Sequence, residues 1–308
     1  MPSSSVAQAP ASLRIAFAGA PASGQGASIL IPSPWLAGEP EEILFRSAVA
    51  LPSETALRRF QEGDVLIGHV TEPLSSGDMA ARAESLYQRV LAACQGRHLF
   101  RVWNYVPAIN ALTPAGENYR AFCVGRARAF EEAFGPGFEA RLPAASAVGS
   151  GGSRLDAIFI AGMQAPRHVE NPDQVPAYRY PAEHGPRSPS FARASIGLCG
   201  GQTVAFVSGT AAIKGHRTVA PGDLEGQITC TLDNLRLISR ALDRGDTLAA
   251  GPGARRHFKV YLRHPEDLGP ARARLEAALF RPDDLVTYLQ ADICRAALDI
   301  EIEATLMG

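Results

Sequence analysis

The chain has 308 residues, with 30 basic and 31 acidic side chains and a formal net charge of −1. This length allows one large or two ordinary domains, and we expect two. The charge balance lacks the positive excess of a nucleic-acid-binding protein, so a small molecule is the expected partner. No apolar run reaches the roughly 20 residues of a membrane-spanning helix, and the first residues lack the pattern of a signal peptide. We therefore expect a cytoplasmic protein.

Strand and helix patterns alternate through the first half, after a tail at residues 1–12 that we expect to be flexible. Alternating strand-like stretches are Leu13–Ala18, Ile43–Val49, Asp64–Val70 and His98–Val106. Helical spacing begins after Ser75–Asp78, and a second helix is predicted from Thr113 as its cap and Pro114 in its first turn.

The second half repeats this order. Strands are predicted at Thr203–Gly209 and Phe258–Leu262, and helices from Pro221–Asp223 and around Pro270–Phe280. The repetition predicts two copies of one α/β unit, a first domain at residues 13–162 and a second at 163–308. The segment 164–194 between the copies is too long and irregular for a plain connector, so we expect a functional loop there.

The last strand carries a row of acids. Leu298, Ile300 and Ile302 fall on one face, and Asp299, Glu301 and Glu303 on the other. The stretch 288–294 also alternates, and an antiparallel hairpin that pairs Ile293 with Ile302 would place Cys294 opposite Glu301. Alignment of the two halves puts Ile158 where the second half has Glu301, which predicts that only the second half has a working site.

The cysteines and histidines suggest no metal site. The five cysteines are odd in number, widely spaced and without a CxxC pair. Cys94, Cys123 and Cys230 lie in helical patterns and are expected to pack as small buried residues. The seven histidines are scattered, and we expect no ligand cluster among them.

Several stretches together resemble one known family. They are Val102–Asn110, Gly116–Phe122, Tyr180–Pro181, Gly185–Arg193, Ser208–Ala211, Gly222–Arg236 and Ala291–Cys294 with Glu301. The second half resembles the RidA (YjgF-like) fold, and the whole chain is similar to the chorismatases, which have two RidA-like halves and cleave pyruvate from chorismate. The resemblance implies an α/β (α+β) fold of two tandem RidA/YjgF-like, chorismate-mutase-like modules, each a mixed sheet with helices on one face. A monomer or an oligomer derived from a pseudo-trimer is expected.

The resemblance also implies roles for particular residues. Glu301 would be the acid–base residue, and Cys294 and Gly209 would shape the pocket, so Glu301 and Cys294 are the catalytic candidates. Glycine with cysteine at these places resembles the branch that forms 3-hydroxybenzoate, with some 4-hydroxybenzoate as a second expected product. No metal or organic cofactor is required.

The substrate's two carboxylates call for two cationic anchors. Arg126 shares an otherwise apolar helical stripe with Tyr119, where an unpaired guanidinium would be costly to bury. The alternative is an arginine that reaches the edge of that face or pairs internally. Arg193 is the second candidate, because its planar group suits a carboxylate. Tyr119, Tyr105 and Tyr178 are candidates for substrate contact, although aromatic residues at such spacing also form cores.

Other functions stay open at this point. The protein could hydrolyse chorismate to a dihydroxycyclohexadiene carboxylate, or act as a RidA-like imine or enamine deaminase. The deaminase alternative predicts an arginine beside Cys294, but strand alternation would turn Arg295 to the opposite face. A metabolite-binding protein without catalysis would tolerate the loss of Glu301.

Overall fold

The computed structural model describes residues 11–21, 26–74, 78–249, 251 and 253–308, and these residues form one fourteen-stranded sheet, two small two-stranded sheets and four α-helices. The strands are β1 (Ala11–Ala18), β2 (Ala27–Gly38), β3 (Glu41–Ala50), β4 (Leu57–Glu62), β5 (Val65–Pro73), β6 (His98–Pro107), β7 (Leu112–Thr113), β8 (Gly116–Glu117), β9 (Ala144–Ser150), β10 (Arg154–Gly162), β11 (Arg167–Val169), β12 (Ala194–Cys199), β13 (Gln202–Thr210), β14 (Ile213–Lys214), β15 (Arg217–Thr218), β16 (Arg255–Leu262), β17 (Leu285–Gln290) and β18 (Ile300–Met307). The helices are α1 (Met79–Ala93), α2 (Asn118–Phe134), α3 (Leu224–Ala241) and α4 (Leu268–Ala278). In the part of the chain described, no helix is long and apolar enough to cross a membrane.

The two halves of the sheet share one strand order. The first half runs β4-β5-β10-β6-β9 and the second runs β12-β13-β18-β16-β17. In each half one helix joins a parallel strand pair, α2 between β6 and β9 and α4 between β16 and β17. The shared order confirms the expected common fold. The domain limits at residues 162 and 163 stay a prediction, and β1 to β3 lie between the two halves of the sheet.

Each half carries its helices on one face, as predicted. One apolar core lies between α1, α2 and the first half of the sheet, and another lies between α3, α4 and the second half. The opposite face of both halves encloses a third, shared core that includes Trp103, Phe206 and Tyr261. Ile158 is fully buried in this shared core, at the position that the repeat equates with Glu301.

The alternation predicted for the last strand is confirmed from Ile300 to Glu303. It does not hold for Asp299, which precedes β18 and accepts a hydrogen bond from Gln227 on α3. Ile300 and Ile302 on β18 pack into the helix-side core, whereas Glu301 and Glu303 point to the opposite face. β13 and β16 cover the two edges of β18, and the helix-side core and the shared core pack against its two faces, so both acids are almost fully buried.

The predicted terminal hairpin is wrong. β17 pairs with β16 and β2, and β18 pairs with β16 and β13, so the two strands are not neighbours. Residues 291–299 form an irregular connection, which agrees with the lack of tight-turn residues at Ala297 and Leu298. The strand pairing of Cys294 with Glu301 therefore does not occur.

Helix starts were predicted with mixed success. Asp78 and Asp223 cap α1 and α3, and their carboxylates accept hydrogen bonds from the backbone N–H groups of Ala81 and Gly226. Thr113 does not cap α2: it lies in the small β7–β8 hairpin, and α2 follows Glu117. Residues 1–10 of the tail predicted at 1–12 lie outside the described residues, as do residues 75–77 of the predicted helix start. Ala11 and Ser12 belong to β1, so the tail prediction is wrong for these two residues.

The edge strand β9 meets the second half along a seam. Serine hydroxyls replace strand pairing there: Ser195 Oγ accepts from the Ala144 N–H at 2.8 Å and Ser208 Oγ from the Ala145 N–H at 2.9 Å. On the same seam, the Gly209 N–H donates to Ser146 Oγ at 2.9 Å. Backbone groups of an edge strand are thereby satisfied without a further strand, and room is left for a cavity.

Candidate active site

A cavity of about 490 Å³ opens at the seam between the two halves. This volume is within the range of small-molecule sites. The residues that line it come from α2, β9, β13, β18 and the loops around them: Glu117, Tyr119, Arg120, Arg126, Ala145, Ser146, Ala147, Tyr180, His184, Pro189, Phe191, Arg193, Gly209, Ala211, Ile213, Arg217, Thr218, Cys294, Arg295, Ala296, Ala297 and Glu301. Five arginines face two glutamates, so the cavity suits an anionic ligand.

Glu301 is a buried acid within this cavity. The residue is 3% exposed and borders the cavity. Its Oε1 atom has no hydrogen-bond partner within the described part of the chain. Burial, and then the negative charge of Glu303, raises the pKa of Glu301 to about 8. Glu301 therefore holds its proton at neutral pH, as a general acid must.

A set of paired charges beneath Glu301 explains why this acid stays neutral. Glu303 accepts a hydrogen bond from Arg101 at 2.6 Å, and Lys259 lies 2.7 Å from both Glu303 and Glu42. The negative charges of Glu303 and Glu42 and the positive charges of Arg101 and Lys259 cancel within this buried network. The pKa of Glu303 is lowered, with burial opposed by Lys259 and Arg101, and Glu301 is left as an acid without its own counter-ion.

Gly209 is needed beside Glu301. A Cβ atom at this position would lie 1.9 Å from Glu301 Oε1 and 2.6 Å from its carboxyl carbon. The β13–β18 register also shifts between Val207 and Thr210, so the glycine lies at an irregularity of the strand. The glycine therefore lets the Glu301 carboxyl approach the backbone of β13 at this irregularity.

Cys294 also lines the cavity, although it lies on the irregular connection and not on a strand. Burial, followed by the charge of Glu301, raises the pKa of the Cys294 thiol to about 12. Cys294 is therefore an uncharged thiol at neutral pH, which suits shaping of the cavity and not nucleophilic attack.

Arg126 brings an unsatisfied cation to the cavity. Its side chain is 1% exposed, and its Nε and Nη2 atoms have no hydrogen-bond partner among the described residues. The guanidinium lies 5.2 Å from the Phe122 ring centroid and 6.0 Å from that of Tyr87. A buried guanidinium with free N–H groups is costly unless an anion binds it, so Arg126 is well placed for a carboxylate.

Arg193 supplies a second buried cation. It is 4% exposed, donates from Nη2 to the Tyr180 hydroxyl at 2.7 Å, and leaves Nε without a partner within the residues described. Tyr180, Phe191 and Arg193 all belong to the segment 164–194. The long irregular segment thus reaches the cavity, as expected of a functional loop.

The three candidate tyrosines have different surroundings. Tyr119 lines the cavity, and burial raises its pKa well above the usual value. Tyr105 does not reach the cavity, because its place on β6 turns the ring into the shared core. Tyr178 packs against the first-half core with Arg179 over its ring, also away from the cavity. Both were predicted as substrate contacts, and their positions do not agree with that role.

The prediction that Arg295 faces away from Cys294 is wrong. Since residues 291–299 do not form a strand, alternation does not apply, and Arg295 lines the same cavity as Cys294. Its Nη1 donates to the His216 carbonyl at 2.9 Å and to Thr218 Oγ1 at 3.2 Å, and its guanidinium lies 5.4 Å from the Tyr180 ring centroid.

Sequence reasoning missed Ser146. Its hydroxyl bridges Gly209, Arg101 and Glu303, and thus links the cavity to the buried charges. A serine within the otherwise apolar stretch at residues 144–148 was the available signal.

Two histidines that are scattered in the sequence lie together in the fold, whereas the expected absence of a metal site stays a prediction. His184 and His216 are far apart in sequence, but together with Glu183 they form a group whose side-chain ligand atoms are close enough to hold a metal ion. The chain folds the loop 164–194 against the β14–β15 turn, and no sequence spacing indicates this proximity.

The fold defines a class of α/β protein that is built from two repeated units. The cavity at the junction of the two units holds a buried neutral carboxyl group and two buried guanidinium groups. Comparison with known proteins identifies the family within this class.

Residues 44–161 match the family described as "Chorismatase FkbO/Hyg5-like, N-terminal". A 3-hydroxybenzoate synthase from Streptomyces hygroscopicus is 42% identical over 221 residues, which are 68% of this chain and 63% of that protein. A chorismatase from the same organism is 38% identical over 253 residues, 78% of this chain and 71% of that protein. A crystal structure of a chorismatase has a TM-score of 0.79 at 29% identity and covers 99% of this chain and 95% of that chain.

The chain therefore belongs to the chorismatase family. The match to the 3-hydroxybenzoate synthase spans just under two thirds of that protein's length.

Proposed function

We propose that this protein cleaves chorismate to pyruvate and 3-hydroxybenzoate. The observation that carries the proposal is a neutral buried Glu301 in a cavity that also holds Arg126 and Arg193, two buried guanidinium groups with free N–H donors. Relatives named as a 3-hydroxybenzoate synthase and a chorismatase support it. The cytoplasmic location and the monomeric or trimer-derived assembly stay predictions.

Chorismate is a dianion with an acid-labile enol ether. The two arginines match its two carboxylates in number and charge, and each would gain a charge-assisted hydrogen bond for an N–H group that is unpaired in the free protein. Binding then fixes the ring between the anchors. Tyr119, Phe191 and Cys294 supply the less polar walls of the cavity.

Glu301 is the proposed proton donor. Protonation of the enol methylene gives an oxocarbenium ion, which weakens the bond between the ether oxygen and the ring. Pyruvate leaves with that oxygen while the neighbouring ring hydroxyl assists, and the ring then becomes aromatic. The carboxylate of Glu301 takes up the released proton, which restores the neutral acid for the next cycle.

The choice of product depends on water. Chorismic acid contains the same atoms as pyruvic acid plus hydroxybenzoic acid, so the aromatic route consumes no water, whereas the dihydroxycyclohexadiene acid requires one. A site for the aromatic route must therefore keep water from the activated intermediate. The uncharged Cys294 thiol, which lines the cavity close to Glu301, fills space that a water molecule would otherwise occupy.

The position of Arg295 favours imine or enamine deamination as a second candidate function, because this arginine and Cys294 line one cavity. The Arg295 guanidinium is already bonded to His216 and Thr218, which leaves it fewer donors for a substrate. Ammonia release from a 2-imino acid tests this function directly, and the chorismate proposal predicts none.

Pyruvate release from chorismate tests the main proposal. The Glu301→Gln variant should bind chorismate but lose turnover, because glutamine keeps the size of the side chain and has no acidic proton. Glu266→Gln, at an exposed position, is the matched control and should keep the parental rate. Pyruvate release by Glu301→Gln at near the parental rate would show that the assignment of the acid is wrong.

A further inference from the structure

Glu183, His184 and His216 form a compact trio at the rim of the cavity. Glu183 and His184 lie in a short helical turn at Ala182–His184, and His216 lies in the turn between β14 and β15. His184 Nε2 is 2.9 Å from His216 Nδ1. Glu183 Oε1 is 3.2 Å from His216 Nδ1 and 3.5 Å from His184 Nε2.

The spacing of these three atoms fits a tetrahedral metal centre. Zinc bonds of about 2.0–2.2 Å place neighbouring ligand atoms about 3.3–3.6 Å apart. Two of the three separations in the trio are within about 0.1 Å of this range or inside it, and the third is shorter by about 0.4 Å. The Glu183 side chain is 60% exposed and can adjust its carboxylate. One ion can therefore reach all three atoms and keep a fourth position open.

The protons of the trio also favour a cation. Two neutral imidazoles that face each other share a single N–H proton between His184 Nε2 and His216 Nδ1. One of the two nitrogens is then the donor, and its proton can make a good hydrogen bond to only one of the two remaining acceptor atoms. A divalent cation would bind one lone pair from each of the three atoms, and the N–H proton would be released to solvent.

The surroundings hold both rings in place. The Tyr180 ring centroid lies 5.4 Å from that of His184 and 6.4 Å from that of His216. Arg295 donates to the His216 carbonyl and thereby fixes the β14–β15 turn.

We propose that Glu183, His184 and His216 bind one divalent transition-metal ion of the Zn²⁺ class with three protein ligands. The charges of Arg295 and Arg120 oppose a cation, so the affinity is lower than that of a four-ligand structural zinc site. Because His184 also lines the cavity, the ion would lie beside the bound small molecule.

Titration of the untagged, metal-free full chain with Co²⁺ and Zn²⁺ tests the site. We expect one ion per chain, the strong visible absorption of four-coordinate Co²⁺, and displacement of Co²⁺ by Zn²⁺. Glu183→Gln and His216→Gln should each weaken Zn²⁺ binding by at least about tenfold, because even the loss of a residue that only supports a metal ligand typically costs about 10–100-fold in affinity. Because Glu183 is exposed, its variant is expected to fold normally.

His264→Gln is the matched control. His264 lies 3.8 Å from Asp299 in a second, half-exposed histidine–carboxylate pair, and its variant should bind Zn²⁺ as the parent does. All these variants keep the five cysteines. Absence of binding to the parent would overturn the proposal, and so would unchanged binding to both Glu183→Gln and His216→Gln, which would place the ion elsewhere.

Discussion

The buried acid makes a prediction about stability as well as catalysis. Glu301 has a pKa of about 8 in the folded protein against an ordinary value of 4.5. Between these values the unfolded chain has released the proton that the folded chain still holds. The free energy of unfolding therefore falls as the pH rises through this window, by about 1.4 kcal/mol per pH unit. Below pH 4.5 both states are protonated and this loss is absent.

Glu301→Gln removes this pH-dependent loss. From about pH 5 to pH 8 the variant should gain about 4 kcal/mol of unfolding free energy relative to the parent. Urea unfolding of both proteins at a series of pH values measures this difference, and all other titrating groups are common to the two proteins. Glu266→Gln, at an exposed position, is the control for the loss of one carboxylate. A difference between Glu301→Gln and the parent that does not change with pH would refute the raised pKa.

Three other substitutions probe the cavity. Arg126→Ala should weaken chorismate binding by about 2–5 kcal/mol, seen as a raised KM, if its guanidinium pairs with a desolvated carboxylate. Arg128→Ala, exposed on the same helix, is the control, and an unchanged KM for Arg126→Ala would leave it a structural residue. Gly209→Ala should lower kcat strongly, because its methyl group would lie 1.9 Å from Glu301 Oε1, and a parental kcat would contradict the need for glycine. Cys294→Ala should admit water and move the product towards the dihydroxycyclohexadiene acid; an unaltered product ratio in chromatography would leave Cys294 without this role.

The fold was predictable where local patterns and pairing agree. The alternation of Ile300 and Ile302 with Glu301 and Glu303 is a property of any strand, and the structure confirms it. The repeat was visible because both halves place an aspartate cap before an amphipathic helix, Asp78 and Asp223. Patterns of this kind depend on neighbouring residues alone.

The errors share a different physical origin. The hairpin prediction was wrong because the pairing of a strand depends on all the strands of the sheet. In this sheet β16 lies between β17 and β18. Tyr105 was predicted to contact the substrate. Both faces of β6 pack against apolar residues, and the sequence alone does not indicate which face borders the cavity. Arg295 was assigned to the wrong face because a strand pattern was applied to an irregular connection.

The candidate site was predictable only in part. Arg126 could be identified because a cation on an apolar helical stripe needs a partner, and its free N–H groups agree with that argument. The buried network of Glu303, Lys259 and Glu42 joins residues from three distant strands, so the neutral state of Glu301 could be expected but not explained from sequence.

The most direct test of the proposed function is the stoichiometry of the products from a single reaction. Chorismate is incubated with the purified protein, and pyruvate and the ring products are quantified in the same sample by chromatography. The proposal predicts pyruvate and hydroxybenzoate in equal amounts, mainly as the 3-isomer. Absence of pyruvate, or pyruvate matched by the dihydroxycyclohexadiene acid, would contradict it.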